Sequence, residues 1–179
     1  MDEIAVSTVV YLPPEDVYDF LVDFPRYANY SKHLTRVGQR GDGGPGTRYD
    51  LRFEWWKLTY TARSEVTAID PPERIDWRLV KHIDATGRWR VEPLDDLPAD
   101  APGDADVACR VFLEIEFDPH TVDEGAISLP AFVSLGWVVS KVKPVVLEEA
   151  ERIVERIVAD IEGRERPVEL VINERPDSV

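Results

Sequence analysis

The side chains of this sequence that could hold a ligand are mostly aromatic. Tyr49, Phe53 and Trp55 share one face of a period-two run, and Tyr60, Trp77 and Trp89 stand in the matching phase of the runs that follow. With Tyr27, Tyr30 and Phe132 they would line a deep apolar pocket, the usual form of a small-molecule site. Leu135 and Val139 lie at helical spacing from Phe132 and would close that pocket from the far side. The alternative is a plain packed core. Indoles on a concave sheet seldom fill it completely, and this favours the pocket. Trp55 and Trp56 are adjacent, so one must face away; Trp56 is taken as the exposed ring and as the mark of a contact surface.

Acid–base and metal chemistry is thinly provided for. His33, His82 and His120 are scattered, and no His-x-x-x-His, Cys-x-x-Cys or His-Glu-x-x-His run occurs, so no metal site is expected. His82, between Lys81 and Ile83, reads as a solvated turn residue. The Gly-x-Ser-x-Gly elbow of a serine hydrolase is absent. Gly41 to Gly46 is glycine-rich but has no Lys-Ser/Thr or helix after it, so it reads as a turn rather than a phosphate cradle. Within the apolar phase the polar residues, Thr8 and Ser64 among them, are few and small. Arg78 and Arg90 directly follow Trp77 and Trp89 and therefore point to the opposite, solvent face. Cys109 is the single cysteine, inward in phase and read as an inert core thiol. No catalytic residue and no cofactor are assigned.

The elements that must position these residues are written in two periods. Ile4, Val6, Thr8 and Val10 alternate as a strand that Pro13-Pro14 stops. Pro14, Glu15 and Asp16 suit a helix start, and Val17, Phe20, Leu21 and Phe24 continue at helical spacing to Pro25. A second short helix over Pro25 to Ser31 presents Tyr27 and Tyr30. Strands then follow over Leu34 to Arg40, Arg48 to Trp56, Thr59 to Ile69, Ile75 to Leu79, Ala85 to Pro93 and Val107 to Phe117. Short turns join most of them, so the sheet is an antiparallel meander of about seven strands. Asp95 to Asp106 reads as an exposed loop. The ending is helical: Val146, Ala150, Ile153, Ile157 and Ile161 form a stripe expected to face the sheet, with a kink or break at Pro144 and a stop at Gly163. Residues 1–163 thus form one domain, and 164–179 a polar tail in which Val168 to Ile172 is either an edge strand or a contact.

Composition bounds the function. The chain has 179 residues, 44% of them hydrophobic, enough for one domain with a real core. Thirty-five Asp and Glu against 21 Lys and Arg give a net charge of −14, a field that repels nucleic acid. Only five of the cations are lysine. Excess carboxylate with little lysine suits a salt-rich cytoplasm, where screening weakens self-repulsion, and is read as halophilic adaptation. The N-terminus lacks a basic region and a cleavage site, and the longest apolar stretch, Ala126 to Val139, is interrupted by Pro130 and too short to span a bilayer. A cytoplasmic protein without stable membrane insertion is expected.

The stretch VVYLPPEDVYDFLVDFPRYANY resembles the opening of the START-like (SRPBCC) superfamily, and PERIDWRLVKHIDATGRWRVEPL resembles its central hairpin, nearest the polyketide cyclase/dehydrase and coenzyme-Q-binding branch. The resemblance covers residues 3 to 162 and lies in the order of elements more than in any tripeptide. It implies an α+β helix-grip fold: a curved antiparallel sheet wrapped on a long C-terminal helix, with two short helices after the first strand and a cavity between sheet and helix. It also implies binding or transport of a hydrophobic small molecule such as a lipid, quinone or polyketide. Two other classes stay open. One is a cyclase or dehydratase, which would need Tyr49, Tyr60 or Arg90 to converge on the pocket; relatives of that type use an inward Arg or Tyr to stabilise an oxyanion. The other is a protein-interaction module presenting the acidic face of Glu148 to Glu162.

Overall fold

Alternation of apolar and polar residues sets the sheet, and turn residues set its folds. The computed structural model describes residues 1–123, 125, 131 and 133–175, and the backbone alone for 135, 136 and 138–147. β1 (Asp2–Val10) leads to α1 (Pro14–Val22) and a 3-10 helix (Phe24–Asn29). Six strands follow: β2 (Leu34–Arg40), β3 (Arg48–Trp55), β4 (Leu58–Asp70), β5 (Arg74–Leu79), β6 (Asp84–Pro93) and β7 (Cys109–Asp118). The chain then forms α2 (Leu135–Glu162) and β8 (Val171–Glu174). One sheet runs β2-β3-β4-β5-β6-β7-β1-β8, antiparallel at every pairing. With α1 and α2 against it, this is the α+β helix-grip architecture.

α1 begins as its sequence dictates, with Pro14 in the first turn and Glu15 and Asp16 at the positive end of the helix dipole. It buries Val17, Tyr18, Phe20 and Leu21. α2 is capped by the Ser134 hydroxyl, which accepts from the Trp137 N–H, and ends at Gly163, whose φ of 77° permits the left-handed stop. Pro144 does not end this helix. It deprives one turn of a hydrogen bond, and the helix carries on as a single element of 28 residues. The sheet-facing stripe includes Ile153, Ile157 and Ile161 but is centred on Val154 and Val158, the latter only 2% exposed. The polar-looking tail does not hang free: Val171–Glu174 adds an eighth strand, one more than the seven expected, on the outer edge of β1. Two contacts hold it there, the Thr8 hydroxyl donating to the Glu169 carbonyl and Arg166 donating to the Val9 carbonyl while pairing with Glu162.

The two faces of the sheet separate by chemistry. On the convex face, Glu65 bridges Arg48 and Arg78, Asp50 pairs with Arg63, Asp76 with Arg88 and Glu114 with Arg90. Arg78 and Arg90 thus point away from the concave side, as their phase required. At one end of the concave face α1, the 3-10 helix and α2 close over Val66, Ile75, Val91, Cys109 and Val111. At the other end Trp55, Tyr60, Trp77, Leu79, Trp89, Leu113 and Phe117 remain half-buried.

Candidate functional site

The half-covered end of the concave face is organised by Trp77. Strand register sets Val66, Trp77 and Gly87 side by side across β4, β5 and β6, and Ile75, Trp89 and Leu113 in the next row. The Trp77 ring lies on the bare backbone of Gly87: a Cβ there would come within 2.1 Å of Cζ2. Gly87 therefore provides the bed that lets an indole lie flat against the sheet. The Trp77 N–H is buried and has no hydrogen-bond partner among the described residues, and the same holds for the Ser64 hydroxyl. Ser64 pairs with Leu79, two residues along β5 from Trp77, so both residues lie on one face, Ser64 on β4 and the Trp77 ring over Gly87 of β6 on the other side of β5. Unpartnered buried polar groups are uncommon and costly. A ligand carbonyl oxygen would serve the indole N–H as acceptor, and the Ser64 hydroxyl is a separate polar group on the same face.

Trp89 forms the adjoining wall, with the Tyr27 ring edge-on at 6.4 Å. Tyr27 in turn stacks between Phe20 and Phe24, and its hydroxyl donates to the Leu21 carbonyl; burial pushes that phenol well above its ordinary value. Tyr30 serves a different purpose. Its hydroxyl donates to the Asp160 carboxylate while accepting from Arg26, tying the 3-10 helix to α2. Tyr49 is sealed against Phe24, centroids 4.5 Å apart, at the closed end of the face. Phe53, on β3, is 39% exposed. Phe132 lies outside the described residues; Leu135 and Val139 fall in the first half of α2, where the backbone alone is described. The aromatic positions therefore divide: Trp77 and Trp89 are diagonal neighbours on one face with Tyr27 against Trp89, Trp55 and Tyr60 sit at the open end, and Tyr30 and Tyr49 belong to the packed end.

At the open end the β3–β4 hairpin turns through Trp56, whose φ of 53° is rare for a bulky residue. Trp56 is 59% exposed, as the sequence suggested, and its ring meets that of Trp137 on α2 at 5.9 Å. Beside it Tyr60 touches the His82 ring edge-on at 6.2 Å, and His82 Nδ1 lies 3.5 Å from Asp123. The carboxylate that His82 lacks at helical spacing comes from a loop 41 positions away, held by the Asp123 N–H donating to the His82 carbonyl. Burial raises the Tyr60 phenol. Carboxylate, imidazole and phenol thus line up at the rim of the wall, an arrangement that sequence spacing could not reveal. Arg90 and Tyr49 do not join it. Cys109, fully buried, has its thiol pushed up to about 11 by burial, and it donates to the Leu12 carbonyl. Among the described residues no cluster of His, Cys, Asp or Glu could hold a metal ion, and no helix is long and apolar enough to cross a membrane.

Sheet order and helices together define a helix-grip protein with a half-covered aromatic face. Residues 1–159 match the family described as polyketide cyclase / dehydrase and lipid transport, and the chain belongs to that family. No curated protein matches the sequence. Among solved structures, a protein from Thermus thermophilus is 18% identical with a TM-score of 0.56, covering 90% of this chain and 97% of that one. The di-domain ARO/CYC StfQ from the steffimycin biosynthetic pathway is 13% identical with a TM-score of 0.55 over 89% of this chain, which spans 49% of the two-domain protein. At these identities the likeness is one of fold. Family and fold together place the chain among hydrophobic-ligand-binding or cyclase-type proteins.

Proposed function

We propose that the protein binds an apolar or amphipathic small molecule bearing a carbonyl, of lipid, quinone or polyketide type, against the Trp77–Trp89 wall, and acts as a carrier in a salt-rich cytoplasm. The observation that carries this reading is the buried Trp77 N–H with no partner among the described residues, on the same half-covered face as the unpartnered Ser64 hydroxyl. Leaving such a group unsatisfied costs about 1–3 kcal/mol, which a ligand carbonyl would recover. Burying about 200 Å² of ligand surface adds roughly 5 kcal/mol before association costs, so micromolar affinity needs no charged anchor. The test is native mass spectrometry of freshly purified protein, joined to tryptophan quenching by 1,4-naphthoquinone. Wild type should bind it in the micromolar range, and Trp77→Phe and Ser64→Ala should each weaken it about fivefold. No quenching at high micromolar quinone, or equal affinity in all three proteins, would remove the proposal.

A second reading, a cyclase- or dehydratase-type enzyme, is favoured by the Asp123–His82–Tyr60 line at the rim. Asp123 would orient the imidazole, and His82 would move a proton to or from a ligand seated on the wall. Turnover of a poly-β-ketone that is abolished in His82→Ala while naphthoquinone binding persists would select it.

A further inference from the structure

At the closed end of the sheet, away from Trp77, lies a second cleft. Its volume is about 360 Å³, and it opens where the last turn of α1 meets the β2–β3 loop and the β4–β5 turn. Val22, Ile69 and Pro71 give it apolar walls, and Asp23 and Asp42 stand at its rim. Tyr18 also lines it. That residue is 7% exposed, and its hydroxyl is buried with no hydrogen-bond partner among the described residues.

The charge around this cleft has one sign. Burial first, then Asp23 and Asp42, raise the Tyr49 phenol, and burial first, then Asp19 and Asp70, raise that of Tyr18, so four carboxylates act on the two tyrosines. Among the described residues no Lys or Arg forms an ion pair with Asp23, Asp42 or Asp70, although most arginines of the convex face are paired. Asp23 also caps the C-terminus of α1, the negative end of its dipole, and α1 has no basic residue in its last turn. A bare metal ion does not suit the place, because no three carboxylates among the described residues stand close enough to coordinate one. What fits is a cation with reach: several N–H donors for separated acceptors, and an apolar stem for the walls.

We propose that this cleft binds a small organic ammonium ion, its nitrogen donating to the Asp23 and Asp42 carboxylates and to the Tyr18 hydroxyl, its alkyl stem lying on Val22, Ile69 and Pro71. The net charge of −14 raises the local concentration of such cations. The site is separate from the quinone wall, since it is lined by α1, the β2–β3 loop, the β4–β5 turn and the strand ends beside them, and includes neither Trp77 nor Trp89.

The experiment is calorimetric titration of the full chain with n-butylammonium at constant low ionic strength, with 1-butanol and magnesium chloride as controls. Wild type should bind butylammonium in the millimolar range and butanol at least tenfold more weakly. The double variant Asp23→Asn/Asp42→Asn should lose about tenfold in affinity, each exposed carboxylate being worth roughly threefold. Tyr18→Phe, which deletes a buried unsatisfied hydroxyl, should raise the melting temperature of the free protein and yet weaken butylammonium about threefold. Trp77→Phe should leave butylammonium binding unchanged. Equal binding of butanol, competition by magnesium at equal or lower concentration, wild-type affinity in the double carboxylate variant, or a Tyr18→Phe protein that changes in stability but not in affinity would each overturn the site.

Discussion

Replacing Gly87 by alanine tests the indole bed directly. The new Cβ would fall 2.1 Å from Cζ2 and 2.3 Å from Cε2 of Trp77, atoms of a rigid ring that cannot yield one at a time. The whole indole must lift off the sheet. Two effects oppose each other. Alanine restricts the unfolded chain and favours folding by about 0.4–1 kcal/mol, since Gly87 is not in the left-handed region. Overpacking costs about 1–3 kcal/mol. The net loss should be about 1–2 kcal/mol, or roughly 2–8 °C in melting temperature for a chain of this size. In a Trp77→Leu background the clash vanishes, and the same glycine change should become neutral or stabilising by about 0.5 kcal/mol. Urea melts of the four proteins give the coupling energy, expected near about 2 kcal/mol. Additive effects, or a Gly87→Ala protein within about 0.3 kcal/mol of wild type, would show that Trp77 does not rest where the wall requires it.

Two further outcomes follow from charge. The Asp160 carboxyl is held below its ordinary range first by the Tyr30 hydroxyl and then by Arg26. Its contribution to stability is therefore full above the unfolded pKa of about 3.9 and is lost as pH falls through the lower folded value. Asp160→Asn should lower the melting temperature at pH 7 and converge on wild type in strong acid; a gap that stays constant down to pH 2 counts against the tie. Second, the melting temperature of wild type should climb between about 0.1 M and 2 M KCl as carboxylate repulsion is screened. A matched osmolyte series corrects for exclusion effects, and a flat corrected curve would remove the salt adaptation.

Sheet and helices were legible in the sequence because each strand carries one face of apolar residues and each turn its Pro or Gly. Phase alone put Trp77 and Trp89 on the concave wall and Arg78 and Arg90 on the other side. What phase does not encode is which inward residues are sealed and which are left half-open. Tyr49 and Trp77 share a phase, yet α1 and the 3-10 helix cover only the former. The His82–Asp123 contact and the Tyr18 cleft arise where loops distant in sequence meet, so no local pattern announces them. Val171–Glu174 is ambiguous in sequence for a related reason: four residues bury little by themselves, and the tail is fixed by contacts with the distant β1, the Thr8 hydroxyl on the Glu169 carbonyl and Arg166 on the Val9 carbonyl.

The position of β1 in the sheet has a consequence for how the protein is made. β1 leaves the ribosome before the rest of the sheet, yet its two neighbours are β7 and β8, the last of these strands to be synthesised. The Thr8 hydroxyl waits for a carbonyl 161 residues downstream. During synthesis the meander β2 to β6 can pair strand by strand, whereas β1 carries both edges open, with apolar Ile4, Val6 and Val10 along one face. Closure of such distant pairs is entropically slow. On crowded polysomes, the exposed strand of one nascent chain is then a ready partner for another, which gives β1 the greatest need for protection by a chaperone.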